Sequence, residues 1–220
     1  RKYFKEVSMH SYWSGADTKK NAENYFSDKY SKYSVAATEY CQMTDDKNTG
    51  VYDLIAKEKN GTNGTSIKYG VAMANTIVDD LTIMNANEWD WWTACSYGTY
   101  TDGLIYLDED NHENLDFSKR YYCLGNFSKF IKEGAVRVAC SSGVKNVRSV
   151  AFVNEDNTVV TVYVNNNDKK AYTTIDCEGD YAVYTTDRDN DIAKTDFGKA
   201  KKVKVSLPAS SVVTVVYEAK

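Results

Sequence analysis

One proline, two histidines and no long apolar run occur in 220 residues. Each scarcity excludes something. A helical membrane span needs about 20 consecutive apolar residues, so none is expected. His10 and His112 are too few for a histidine-based metal site. Basic residues are not in excess either. The 27 Lys and Arg are set against 31 Asp and Glu, a net charge of -4, whereas a nucleic-acid surface wants a basic patch. Neither membrane nor nucleic acid is therefore an expected partner. Arg1-Lys-Tyr-Phe-Lys5 leads into no apolar stretch, so no signal peptide is read at the start. A trimmed N-terminus reads the same way. The five cysteines, Cys41, Cys95, Cys123, Cys140 and Cys177, are odd in number and lack metal-ligand spacing. All five are expected to be thiols, and neither metal nor cofactor is expected.

Aromatic residues, by contrast, are abundant, with 18 Tyr, 7 Phe and 4 Trp. Flat aromatic faces suit sugar rings, although a packed core alone accounts for most of them. Hydrophobic residues make up 42%, enough for a core and too many for a disordered chain.

The pattern changes near residue 134. Before it, strand and helix signals alternate. Glu6–His10 reads as a strand. Asp17 or Thr18 is placed to cap a helix carrying Ala22, Tyr25 and Phe26. Ser34–Glu39 reads as a buried parallel strand, a small-residue apolar run ending abruptly in a carboxylate. Ser66 opens an amphipathic helix with Ile67, Val71, Ala74, Val78 and Leu81 on one face. Asn85–Trp92 reads as a third strand. Ser118 is placed to cap a last helix with Tyr121, Leu124, Phe127 and Ile131, closed by Gly134. Such alternation predicts a parallel α/β array.

After Gly134 the runs are short and β-branched: 135–139, 147–153, 159–164, 171–175, 181–184, 203–207 and 211–217. Turn residues separate them, as in Asn154-Glu-Asp-Asn157, Asn165-Asn-Asn-Asp168 and Glu178-Gly-Asp180. Seven strands at this spacing predict an antiparallel sandwich over residues 135–220. Residues 1–134 remain for the α/β part. A closed eight-stranded barrel takes about 250 residues, so three βα units fit and eight do not. The expectation is the last three βα units of a barrel, completed by units on another chain, on a cleaved segment or outside this sequence.

Five segments then carry a resemblance: Met9-His-Ser-Tyr-Trp13, Ala37-Thr-Glu-Tyr-Cys41, Glu88-Trp-Asp-Trp-Trp92, Lys119 to Ile131 and Leu207 to Thr214. Of these, Arg120-Tyr-Tyr-Cys-Leu-Gly-Asn-Phe-Ser128 is the most specific. Together they resemble the C-terminal portion of glycoside hydrolase family 30. The resemblance implies a (β/α)8 TIM barrel fused to a β-sandwich side domain. It also implies retaining hydrolysis by two glutamates and a secreted, polysaccharide-degrading enzyme. Its nucleophile, at the end of the seventh strand, maps onto Glu39. Its acid/base, at the end of the fourth, would precede Arg1.

A retaining glycosidase sets two carboxyls about 5–5.5 Å apart across the scissile bond. Glu39 suits the attacking role because a strand end holds it rigidly. Glu88 and Asp90 are the internal competitors, and an ion pair with Lys or Arg is their plainer alternative. His10 and Tyr12 fall in the active site by the resemblance, with Tyr12 placed to hydrogen-bond the nucleophile or the sugar. A packed strand histidine is the alternative for His10. Trp13, Trp91 and Trp92 are candidate sugar platforms, and core packing claims at least one of them.

Asn60, Asn63 and Asn126 begin glycosylation sequons, the first two in a loop and the third by chance within a helix. Asp108, Asp110 and Asp116, and the run Asp187–Asp191, lack the glycine and closing glutamate of a calcium loop and read as solvated turns. The aromatic-rich segment of strand 8, followed by Tyr100–Tyr106, looks most like the β-1,6-galactanase branch of the family. Substrates on β-1,6-glucan or xylan are the alternatives. No arginine motif marks a glucuronoxylan binder. A reading from another class is a catalytically silent carbohydrate-binding or interaction fragment, because no second catalytic glutamate lies in the right strand.

Overall fold

A computed structural model describes residues 3, 5–43, 47, 65–97, 100–108, 110, 111 and 113–218. Asn60, Asn63 and His112 lie outside the described residues. The chain divides into two compact units, Arg1–Thr65 with Asn75–Ser118, and Ser66–Ala74 with Lys119–Lys220.

In the first unit, β1 (Glu6–His10), β2 (Ser34–Glu39) and β3 (Glu88–Trp89) form a parallel sheet in that order. Strand β2 is central, and Ala36 and Ala37 are wholly buried. Helix α1 (Ala16–Tyr30) follows β1, and α2 (Ile67–Thr82) precedes β3. The expected cap by Asp17 or Thr18 is not formed. Gly15, in extended conformation, occupies the N-cap without a side-chain bond, and Asp17 lies inside the first turn. There its charge still complements the helix dipole.

The third strand is shorter than expected in regular pairing. Its backbone nevertheless runs along β2, with Asn87, Asp90 and Trp92 donating N–H bonds to the carbonyls of Val35, Ala37 and Tyr40 at 2.8, 2.8 and 3.0 Å. Beyond it lies a small sheet absent from the sequence reading: β4 (Cys95–Ser96), β5 (Ile105–Leu107) and β6 (Leu115–Phe117). Strands of two and three residues leave too short a period to recognise.

In the second unit, α3 (Lys119–Ser128) precedes β7 (Val136–Val138), β8 (Val147–Val153), β9 (Thr158–Asn165), β10 (Ala171–Thr186), β11 (Ala193–Leu207) and β12 (Ser211–Glu218). Their order is β11-β10-β12-β9-β8-β7, all antiparallel. Six strands replace the seven expected, because 171–175 and 181–184 are one strand. Glu178-Gly-Asp180 is not a turn but an irregularity inside it, where the register shifts between Asp176 and Gly179. The Glu218 carboxylate lies over Gly179, in the space a Cβ there would take.

Ile175, Cys177, Val203, Val205 and Leu207 from this hairpin share one core with Val147, Tyr163, Val213 and Val215. The hairpin therefore folds over the sheet and makes a second layer. The opposite face is sealed by α3. Asn126, wholly buried, donates to Thr214 Oγ1 at 2.9 Å and to the Tyr184 carbonyl at 3.3 Å, and accepts from Thr186 Oγ1 at 2.5 Å. That side chain is fully used inside the fold, so its sequon is a coincidence of sequence. The Asp187–Asp191 run is an ordinary turn, with Asp187 Oδ1 accepting from the backbone of Asp189 and Asn190.

Lys19 on α1 and Asp80 on α2 meet at 2.7 Å with their side chains 4% and 0% exposed. Asp80 also accepts from Ser11 Oγ at 2.7 Å and from Trp89 Nε1 at 2.9 Å. One carboxylate thus ties together the ends of two strands and two helices. Breaking a buried pair from one side leaves an uncompensated charge. Asp80→Ala is expected to lower unfolding free energy by about 3–5 kcal/mol. Denaturant melts check this, and a loss below about 1 kcal/mol contradicts it.

Candidate active site

The site assembles where β1 and β2 end. Plain alternation along β2 would put Glu39 on the face of Val35 and Ala37, both buried. The register prevents this. Met9 pairs with Ala37 and His10 with Glu39, so Thr38 is an extra residue. A bulge of this kind re-aims the following side chain. Glu39 turns onto the face of His10, whose Nδ1 lies 3.8 Å from Glu39 Oε1. Tyr12 donates its hydroxyl to the same oxygen at 3.0 Å. Half-buried Glu39 is therefore held by a neutral donor and faces an imidazole.

Tyr12 is fixed on all sides. Its ring stacks on Tyr40 at 5.6 Å, meets His10 edge-on at 5.9 Å and touches Trp13 at 5.6 Å. Burial, followed by the neighbouring Cys41 and Glu39, pushes its phenol far above the ordinary tyrosine range. It stays protonated and remains a donor. Cys41 Sγ lies 3.6 Å from the Tyr12 oxygen. None of the five cysteines forms a disulfide.

Trp13 has φ of 53°, a conformation rare for a bulky side chain. It leaves the indole half exposed beside Tyr12. Trp92 is also half exposed. Trp91 is the packed member of the three. Its ring contacts Tyr40 at 6.0 Å and Trp89 at 6.3 Å, and its N–H is donated to the Asp102 carbonyl at 2.5 Å. The loop around Asp102 is pinned at the same rim by Thr101 Oγ1, which donates to the Gln42 carbonyl at 2.9 Å.

Glu88 and Asp90 take the exposed side while Trp89 points to Asp80. The ion pair with Lys or Arg is not formed by either among the described residues. Instead the two carboxyls bond each other, and Glu88 is held above the usual carboxylate range by that bond and by the Asp90 charge. Among the described residues no cluster of three or more His, Cys, Asp or Glu is arranged to hold a metal. The sequence reading missed Cys41 and Asp80. Asp80 had a signal, since Met73, Ile77, Asp80 and Met84 fall on one buried helical stripe and one of them is charged. Cys41 had none.

Residues 2–106 match the sequence pattern described as O-Glycosyl hydrolase family 30, and residues 134–215 match the Glycosyl hydrolase family 30 beta sandwich domain. The chain belongs to glycoside hydrolase family 30. Solved structures of similar fold include a GH30 endoxylanase from Clostridium papyrosolvens C71, at 22% identity and TM-score 0.73, over 98% of this chain and 49% of that one. A conserved exported protein from Bacteroides fragilis reaches 25% identity and TM-score 0.79, over 96% of this chain and 45% of that one. An endo-β1,6-glucanase gives 17% identity and TM-score 0.63, over 100% and 42%. The chain thus spans about half the length of these proteins. Its parallel unit is a portion of the family's TIM barrel, and its antiparallel unit is the β-sandwich.

The Glu88–Asp90 pair yields a pH test. An acid whose value is raised by folding binds its proton more tightly in the native state. The pair therefore stabilises the family-30 barrel portion at acid pH, and that stabilisation is lost as pH rises from the ordinary 4.5 through the raised value. Asp90→Asn removes the repulsion. Its melting temperature is expected to gain on the parent's by about 1–2 °C between pH 4 and pH 7, a small effect because the pair is exposed. A difference that stays constant with pH contradicts this.

Proposed function

We propose that Glu39 is the nucleophile of a retaining glycoside hydrolase acting on a β-linked polysaccharide. One observation carries this reading: the bulge at Thr38 turns Glu39 onto the His10 face, where Tyr12 donates to it at 3.0 Å. In such a reaction Glu39 attacks the anomeric carbon and the glycosidic bond breaks, leaving a covalent glycosyl-enzyme that water then hydrolyses. The Tyr12 hydroxyl, protonated throughout, keeps the attacking carboxylate oriented and accepts no charge itself. Half-exposed Trp13 and Trp92 offer their faces to sugar rings. Their apolar surfaces match the C–H faces of a pyranose.

The acid/base carboxyl lies on the missing N-terminal half of the barrel, on the same or a companion chain. Residues 1–134 supply barrel strands 6–8 and residues 135–220 the side domain. The finer substrate reading is endo-β-1,6-galactanase. It rests on the aromatic segment 88–92 followed by Tyr100–Tyr106. Similar folds in a GH30 endoxylanase and an endo-β1,6-glucanase make xylan and β-1,6-glucan the competing substrates. Secretion fits an enzyme of polymers and has an exported protein among the similar structures.

A second reading is favoured by the chain spanning about half of its structural relatives. Alone, it is a silent carbohydrate-binding fragment. Turnover assays on β-1,6-galactan, β-1,6-glucan and xylan separate the possibilities. In the complete enzyme, Glu39→Gln is expected to lower kcat by about a thousandfold or more with KM little changed. Retained turnover ends the nucleophile assignment. Turnover by the isolated chain contradicts the external acid/base.

A further inference from the structure

A second place with sugar-binding chemistry lies at the other end of β2. A cavity of about 210 Å³ opens between the C-terminal half of α1, the start of β2 and the turn that leads into β3. Buried Val35 and Met84 line its depth, and Phe26, Tyr30 and Tyr33 supply an aromatic wall. All of these residues belong to the parallel unit. Val35 precedes Glu39 by four residues on one strand, a separation of roughly 13 Å. The wall is more exposed than a core cluster is. Tyr25, Phe26, Tyr30 and Tyr33 touch in series, their centroids 5.9 to 6.3 Å apart, yet Tyr25 and Tyr30 are 51% and 38% exposed. Lys29 and Lys32 lie over the rings of Tyr25 and Tyr33 at 5.0 and 5.1 Å. No cation covers Phe26 or Tyr30 among the described residues.

Polar groups with spare capacity line the same cavity. Asn87 Oδ1 accepts from the Val35 backbone at 3.4 Å, and Asn87 Nδ2 donates to no described residue. Glu23 gives one oxygen to Lys20 at 2.8 Å and keeps the other. The Tyr30 hydroxyl has no hydrogen-bond partner among the described residues. Ring faces match the C–H face of a pyranose, and a few polar groups at their rim match its hydroxyls. Glu23 is the one charged residue of the lining and is already paired, so the cavity offers no cation to a uronate and suits a neutral sugar.

We propose that this cavity is a second saccharide-binding site, holding a neutral sugar unit of the polymer at the start of the barrel strands, away from Glu39. It rests on the polysaccharide-hydrolase reading for the identity of the polymer alone. No bond is made or broken there. A chain held at two places on one enzyme binds its second place at high effective concentration, so the site tethers the enzyme to long polymers and not to short fragments. The walls, α1 and the turn before β3, come from this chain on either side of central β2. The cavity is therefore formed without the rest of the barrel.

Two variants of the complete enzyme test it. Tyr30→Ala removes the platform. Ser31→Arg fills the opening from an exposed position and takes away no packed group, so it stays informative if Tyr30→Ala fails to fold. Native gels cast with xylan, β-1,6-glucan or β-1,6-galactan measure retardation by each polymer. Both variants are expected to weaken binding to the polymer that the enzyme cleaves by about three- to tenfold. Their kcat and KM on a trisaccharide of the same linkage are expected to stay within about twofold of the parent. Polygalacturonate, a uronate polymer, is expected to retard parent and variants equally. Retardation reads binding, so it reports on the cavity even if Glu39→Gln keeps its turnover and the nucleophile reading fails. The proposal is overturned if Ser31→Arg is retarded as strongly as the parent by all three neutral polymers, whether or not its melting temperature falls. It is also overturned if the variants lose retardation on polygalacturonate, or if trisaccharide turnover falls as far as polymer binding does.

Discussion

A single carboxylate, Asp80, positions the site. It is completely buried, and Lys19, Ser11 and Trp89 converge on it. Its charge cannot be left alone in a dry interior, so the lysine is held as firmly as the aspartate. Each partner belongs to a different element. Ser11 sits between His10 and Tyr12, so fixing it sets both residues that contact Glu39. Trp89 lies under Tyr40, 6.1 Å between centroids, and Tyr40 lies under Tyr12. The network therefore reaches the site by two routes, one through the backbone of β1 and one through aromatic rings in contact. Such a buried polar cluster fixes one arrangement of the elements more than it adds to net stability.

Above this base the decisive device is one extra residue. Thr38 shifts the pairing of β1 with β2 and turns Glu39 away from the buried face. Without the shift a carboxylate would be driven between sheet and helices, beside Val35 and Ala37, where its ionised form is costly. With it, the carboxylate meets a neutral donor and stays partly exposed. Neutral donation orients Glu39 without neutralising it. That combination suits a group which must keep its negative charge until it attacks. The open tryptophan faces of Trp13 and Trp92 lie on chain segments adjoining Tyr12 and Trp91.

The sequence made much of this visible. The apolar run of Ser34–Glu39 marked a central parallel strand and its terminal carboxylate, and the change near residue 134 marked the switch to antiparallel strands. The five segments resembling family 30 reached the family that the two matched patterns establish. Three features were not legible, each for a physical reason. The bulge depends on pairing between β1 and β2, distant in sequence, and no local period encodes it. The long strand β10 read as two because Glu178-Gly-Asp180 has turn chemistry, yet the chain passes through it as an irregularity within one strand. The cap of α1 went to Gly15 because the helix already begins at Ala16, so Asp17 falls inside its first turn. The Lys19–Asp80 pair was partly legible, as a charge on a buried stripe, but its partner was not.

The account stands on Glu39 being the atom source of a covalent bond to sugar. The most direct measurement is to inactivate the complete enzyme with a 2-deoxy-2-fluoro-β-glycoside of the sugar it cleaves and locate the adduct by peptide mass spectrometry. The account predicts the adduct on the peptide containing Glu39, at that residue. An adduct on Glu88, on Asp90 or on a residue outside this chain would contradict it.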